Sequence, residues 1–194
     1  MGRKKGKKLT DKRRAKTPKR PQPKKTQAQL RKVSASRLKQ ILAAHKKWLE
    51  TRDGKPPADL ENKDAQGLNL SEADLRDAQL QKAILNGANL QEANLSRANL
   101  QEARLSFANL QEANLSGANL QEANLFGANL QGAYLFEVKA VTASQIKRAN
   151  NWRLAFYSDD FLAELDLPTD HNETILKKFK EIEKSEDRHQ TVTS

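Results

Sequence analysis

Ala88-Asn89-Leu90-Gln91-Glu92 begins a run that returns to the same chemistry every five residues, through Ala93-Asn94-Leu95-Ser96-Arg97 and on to Ala128-Asn129-Leu130-Gln131-Gly132. Followed outward in both directions, the beat extends from Ala58 to Thr142. Leucine fills 15 of its 17 marker positions, with Ala65 and Ala140 as the exceptions. Alanine stands two residues earlier in 14 of the 17 units, the others having Lys63, Leu68 and Val138. The residue directly before the marker is Asn nine times and Asp three times. A helix needs apolar residues at spacings of three and four, and a half-buried strand alternates by two, so a period of five belongs to neither. A fixed, self-similar period indicates a repeat architecture.

An Ala and a Leu two residues apart project to the same side when the backbone between them is extended. The polar pair that follows, such as Gln91-Glu92 or Ser96-Arg97, takes the chain round a corner. Each unit is then one side of a coil with Leu inside, and four sides close a coil of about twenty residues stacked at roughly 4.8 Å on the next. Each buried Leu contributes about 1.5–3 kcal/mol, so the column suffices for a small core.

The tandem A-[N/D]-L-x-x pattern, which residues 88–132 follow almost without exception, resembles the pentapeptide repeat family over 85 of the 194 residues. The resemblance is to a bacterial type of that family. It implies an all-β solenoid, a right-handed quadrilateral β-helix, here of about four coils with α-helical caps at both ends. It implies little about activity.

Charge divides the chain. Residues 1–57 carry 21 Lys and Arg against 3 Asp and Glu, residues 58–142 carry 6 against 11, and residues 143–194 carry 8 against 10. The expected organisation is a disordered basic tail over 1–33, a capping helix and linker over 34–57, the β-helix over 58–142 and a helical cap with tail over 143–194. The absence of cysteine excludes disulfides and thiolate metal sites and fits a cytoplasmic home. No apolar run is long enough to span a membrane, and Met1 to Lys32 has no signal-peptide core.

In the tail, Lys4, Lys5, Lys7, Lys8, Arg13, Arg14, Lys19, Arg20, Lys24 and Lys25 are the candidate nucleic-acid contacts, since clustered cations release counterions from phosphates without reading sequence. An anionic membrane surface is a second target for the same charges, and a solvated tail with no selected partner is the third reading. No aromatic residue is interleaved, which argues against base stacking.

Leu38, Ile41, Leu42, His45, Trp48 and Leu49 fall at helical spacing between Ser34 and Thr51, with Ser34 or Ser36 able to cap the start. This apolar stripe is expected to cover the open first coil, as repeat arrays require. His45 reads as a packed side chain, because no second His or Cys accompanies it.

Taking every fourth unit assigns the faces. Gln101-Glu102 and Gln121-Glu122 stack on one wall, and Glu72, Gln91-Glu92 and Gln111-Glu112 on the opposite one. Phe107, Phe126, Tyr134 and Phe136 occupy outward positions between them. With Glu92, Glu102, Glu112 and Glu122 they are the candidate partner contacts, aromatics being the residues that dominate binding hot spots. The competing expectation is that the segment after residue 142 folds back over Phe126, Tyr134 and Phe136.

Beyond Thr142 the period is lost. Thr142 or Ser144 can cap a short helix, Ser158 a second one with Phe161, Leu162 and Leu165, and a third helix is expected from Asn172 to Lys184. The run Gln145 to Ser158 is similar to tails that follow the repeats in a bacterial subset of the family. Together these elements form a lid on the last coil, while the last helix offers a face for a dimer, so the chain is expected as a monomer or a dimer through that helix.

No catalytic constellation stands out. His45, His171 and His189 are scattered, no glycine-rich phosphate loop or metal-ligand spacing occurs, and the carboxylates stand on outward walls. The expectation is a non-enzyme without cofactor or metal: an interaction scaffold for a protein partner, whose basic arm adds electrostatic contact to nucleic acid. The alternative is a nucleic-acid-linked regulator. It would be either a scaffold tethered to RNA or DNA, or, as the resemblance implies, a DNA mimic that inhibits or protects a type II topoisomerase through Glu72, Glu92, Glu102, Glu112 and Glu122. The short coil, the lack of Phe at the central position and the absence of an interrupting loop stand against mimicry.

Overall fold

From Leu60 to Leu130 each marker leucine is followed by a turn in which the N–H three residues on returns to the leucine carbonyl, as Ala93 does to Leu90 at 3.1 Å and Ala103 to Leu100 at 2.9 Å. The third residue of these turns has a positive φ, 57° at Glu92, 55° at Glu102 and 67° at Gly127. A positive φ at that position alone is the signature of a type II turn. The computed structural model describes residues 32–54, 56 and 58–192.

Between turns, Ala-Asn-Leu is extended and bonds to its equivalents twenty residues away. The Leu90 N–H donates to the Asn109 carbonyl at 2.7 Å, and the Asn109 N–H to the Ala88 carbonyl at 2.9 Å. Parallel bridges stack Asp59, Gln79, Asn99, Asn119 and Lys139 in one column and Asn69, Asn89, Asn109 and Asn129 in another. Each side of the solenoid supplies a single bridge instead of a continuous strand, because two of every five residues are spent on a corner. Tyr134–Leu135 (β1) and Phe156–Tyr157 (β2) pair as short parallel strands.

The Asn before each Leu serves the corner. Asn89 Oδ1 accepts the Gln91 N–H at 3.3 Å and Asn109 Oδ1 the Gln111 N–H at 3.2 Å, the local bond that makes Asn and Asp turn residues. The same side chains also bond along the stack. Asn89 Nδ2 donates to Asn69 Oδ1 at 3.1 Å, Asn109 to Asn89 and Asn129 to Asn109 at 3.2 Å, and Asn151 to Asn129 at 2.8 Å. Inside, the marker leucines from Leu60 to Leu135 are at most 2% exposed.

Helix α1, Ala35–Thr51, begins where Ser34 accepts the Arg37 N–H and ends at Arg52, which takes a left-handed φ of 56°. Leu38, Ile41 and His45 are its buried residues. Val33 is buried as well, and its N–H donates to the Asp64 carbonyl at 2.8 Å while Lys32 bridges to Asp64. The folded body therefore reaches upstream of Ser34, to Lys32, past the boundary read at residue 33.

At the other end, α2 (Ala143–Ile146) starts with a capping box between Thr142 and Gln145. Gln145 Nε2 also donates to the carbonyls of Leu120 and Ala123, at 3.2 and 3.0 Å, tying the helix to the repeats. After a 3-10 turn at Trp152–Leu154 and β2 come α3, Asp159–Glu164, and α4, His171–Val192. The last helix is thus longer than the Asn172–Lys184 expected, because its apolar stripe stops at Ile182 while good helix formers such as Glu186, Arg188 and Gln190 continue the sequence.

Asn172 completes the final rung with a side chain: Oδ1 accepts the Tyr157 N–H at 3.1 Å and Nδ2 donates to the Tyr157 carbonyl at 2.7 Å. An otherwise open edge is thereby satisfied. Tyr157 itself is fully buried, which raises its phenol pKa, and its hydroxyl donates to the Trp152 carbonyl at 2.7 Å. Helix α4 lies close to the repeats at Gly132. A Cβ there would stand 2.9 Å from Glu112 Cγ and 3.6 Å from Phe179 Cζ.

Candidate interaction surface

One corner of the solenoid stacks Gly67, Gly87, Phe107 and Gly127 at the third position of successive turns. The three glycines have φ of 66°, 62° and 67°, and Phe107 takes the same conformation with φ 59°. Cβ crowds the backbone in this conformation, a cost that Glu92, Arg97 and Glu102 also bear at other corners. The Phe107 ring is nonetheless 66% exposed. It lies directly over Gly127, where a Cβ would come within 2.7 Å of two ring carbons. On one side of it, Phe126 makes an edge-to-face pair at 5.4 Å between centroids and is itself 50% exposed. On the other side Gly67 and Gly87 leave the corner bare, with nothing within 4 Å of where a Cβ would stand.

The other two aromatics expected to face outward are placed differently. Tyr134 is 41% exposed but stacks on Phe156 of β2, with centroids 5.0 Å apart and planes 10° from parallel. Phe136 is half-buried, 6.2 Å from the Tyr134 ring. The segment after residue 142 thus reaches Tyr134 and leaves Phe126 and Phe107 open.

Glu92, Glu112 and Glu122 are exposed, and Glu102 is partly covered and pairs with Lys82 at 3.5 Å. Gln91 and Gln111 donate to the neighbouring Glu92 and Glu112, at 3.1 and 3.2 Å. Glu112 also lines a groove with Tyr134, Phe156, Leu176, Phe179 and Ile182, so the wall that contains it is occupied there by α4. Lys4, Lys5, Lys7, Lys8, Arg13, Arg14, Lys19, Arg20, Lys24 and Lys25 lie outside the described residues.

A half-buried carboxylate and a buried imidazole hold the surface together. Asp77 accepts Arg97 Nε and Nη2 at 2.8 and 2.9 Å and Arg52 Nη1 at 2.6 Å. The bonds from Arg97, then those from Arg52, bring its pKa down to about 2. Arg52 also sits over Trp48, 4.6 Å from the ring centroid, and Trp48 stacks on His45 at 5.4 Å. His45 is fully buried, and burial lowers its pKa. His171, 5% exposed, bonds the Ala155 carbonyl through Nε2 at 3.0 Å. Among the described residues no group of three or more His, Asp and Glu converges as a metal site would require. No helix among them is long and apolar enough to cross a membrane.

Taking every fourth unit of the sequence already places Gly127 on one face with Phe107, and Asp77 with Arg97 on another; what it missed is that the ring seats on Gly127 and that Arg52 joins Asp77 and Arg97. For Gly127 the signal was present, since it follows Phe107 by twenty residues, one full circuit.

Residues 58–91, 73–106 and 103–139 match the family described as pentapeptide repeats, in 8 copies. No curated protein matches the chain. A solved pentapeptide repeat protein from the cyanobacterium Cyanothece is 39% identical over 56% of this chain and 65% of its own, with a TM-score of 0.37. One from the Arabidopsis thaliana thylakoid lumen is 32% identical over 42% of this chain and 53% of its own, with a TM-score of 0.38. One from Nostoc is 26% identical over 70% of this chain and 94% of its own, with a TM-score of 0.33. The chain therefore spans between about half and two thirds of the Arabidopsis and Cyanothece proteins. The repeats of this family fold as a right-handed quadrilateral β-helix; with its tandem units, twenty-residue circuit and leucine column, the segment from residue 58 to 139 is built of repeats of the pentapeptide repeat family.

Proposed function

We propose that the chain is a non-catalytic, cytoplasmic interaction scaffold: a four-coil β-helix closed by helices at both ends, which offers Phe107 and Phe126 to a protein partner. One observation carries this reading. Phe107 is 66% exposed in a left-handed conformation that its stacked equivalents Gly67, Gly87 and Gly127 adopt freely. Such a backbone costs a bulky residue about 1–3 kcal/mol, and an exposed ring recovers little of that by burial. Other corners place Glu or Arg in the same conformation, but a large apolar ring left in water is accounted for by contact with a partner and not by the core. Glu92, Glu102, Glu112 and Glu122 supply a polar rim, and Tyr134 and Phe136 contribute less because β2 already engages Tyr134. Leu176 and Ile182 on α4, 47% and 49% exposed, mark where a second copy would pair if the chain dimerises.

The test is capture of a partner from lysate by immobilised full-length protein. Phe107→Ala is expected to reduce capture several-fold while changing stability by less than about 1 kcal/mol. Undiminished capture by that variant would remove this corner from the reading.

The division of charge favours a second contact, in which the arm from Lys4 to Lys25 binds nucleic acid electrostatically and tethers the scaffold. DNA mimicry has less support. The wall bearing Glu112 is occupied by α4 and the one bearing Glu102 is partly neutralised by Lys82, so neither presents a continuous anionic track.

A further inference from the structure

Among the described residues some cations are engaged by acids, while others, Lys63, Arg104, Lys177 and Lys178 among them, have no ion pair. Within the repeats, Arg76 pairs with Asp74 at 2.6 Å, Arg97 with Asp77 at 2.8 Å and Lys82 with Glu102 at 3.5 Å. Near the C-terminal end Lys147 pairs with Asp166 at 2.8 Å. On α1, Lys39, Lys46 and Lys47 are exposed, and among the described residues no ion pair engages them. Glu50 is the one acid in the helix. Lys46 shares a shallow cleft with Glu72 and Asp74 without pairing with either, and Asp74 is already committed to Arg76.

The helix holds these lysines in a fixed arrangement. Leu38, Ile41 and His45 face inward, Ser34 caps the start, and Arg52 at the end is held by Asp77. Lys39 and Lys46 are seven residues apart, so they lie on one face about 10 Å apart along the axis. Because α1 is already anchored, binding through this face orders less chain than binding through a free segment does.

We infer that the exposed face of α1 is a phosphate-binding surface for nucleic acid, on which Lys39, Lys46 and Lys47 add fixed contacts to those of the basic arm that precedes them in sequence. This rests on the reading of the arm as a nucleic-acid contact and extends it to three residues of the folded body. A nucleic acid fits better than a membrane, because an interfacial helix inserts its apolar face into lipid and the apolar face of α1 is spent on the first coil. The acidic walls beyond would repel the same polyanion and confine it to the N-terminal end.

The experiment is a salt series of binding to a short mixed-sequence DNA duplex, all in the full chain, comparing the unaltered protein with two triple variants. Each lysine that neutralises a phosphate contributes about 0.9 to the slope of log affinity against log salt, so changing Lys39, Lys46 and Lys47 together to Gln should lower the slope by about 2–3. Changing the same three to Arg should restore it. An unchanged slope in the Gln variant, with the unaltered chain still binding, overturns the helix surface and leaves the arm alone. No binding by the unaltered chain overturns both. Binding to phosphatidylserine vesicles without binding to the duplex overturns them in favour of a membrane.

Discussion

His45 Nδ1 accepts the backbone N–H of Ala58 at 3.3 Å, so the single proton of the neutral ring sits on Nε2, which donates to the Arg76 carbonyl at 2.9 Å. One side chain thereby joins α1 to the start and to the end of the first circuit of repeats. A second proton would have to go on Nδ1, where it would meet an N–H instead of an acceptor.

That arrangement gives stability a defined pH dependence. Burial, the largest influence, holds the His45 pKa below its usual 6.5 in the folded chain, outweighing the Arg76 carbonyl and the charges of Asp74 and Asp77. The unfolded chain takes up its proton near 6.5 and the folded chain resists, so the contribution of His45 is constant above that pH and declines below it. Thermal unfolding across this range should show the decline in the natural sequence and not in His45→Gln. That variant should also be less stable at neutral pH by about 1–3 kcal/mol. Asp77 acts in a separate window: its stabilisation is present above 3.8 and is lost as pH falls from there through about 2.

Gly127 and Phe107 should behave as a coupled pair. Gly127→Ala meets the Phe107 ring at 2.7 Å and also places a side chain at φ 67°. In Phe107→Ala the first cost disappears and about 1 kcal/mol of backbone cost remains. A double-mutant cycle by chemical denaturation is expected to give a coupling of about 0.5–3 kcal/mol. Additive changes would mean that the ring is not seated on Gly127.

Position along the asparagine column should set the cost of losing a member. Asn109 takes part in three bonds, to Asn89, to Asn129 and to the Gln111 N–H, whereas Asn69 at the end takes part in two. Asn109→Ala should therefore cost about 1–3 kcal/mol and Asn69→Ala about 1 kcal/mol or less. Equal losses in equilibrium unfolding would mean that the bonds along the stack contribute nothing beyond each local turn.

The circuit of twenty was legible because each Ala and Leu answers to its own need for burial, and a need met residue by residue repeats in the sequence. The asparagines were legible as a pattern but not as a column, since the partner of Asn89 lies twenty residues away and is simply another Asn. The turn conformation was hidden by Glu92, Arg97 and Glu102, ordinary residues that carry the positive φ a glycine would announce. His45 was readable as a packed side chain, but its partners are the backbone groups of Ala58 and Arg76, which leave no mark on composition. The pose of Phe107 needed both facts, the stacking register and the left-handed corner, and the sequence displayed only the first.

The parallel bridges that join Asn69 to Asn89 and Asn89 to Asn109 give insertions and deletions two different rules. To the leucine column every unit is alike, so a gain or loss of five residues still leaves Ala and Leu pointing inward. To the surface such a change is a quarter turn, carrying every later corner onto its neighbour's wall and separating Phe107 from Gly127 if it falls between them. Evolution can lengthen this rod in fives without unfolding it, but only steps of twenty preserve what a partner would recognise.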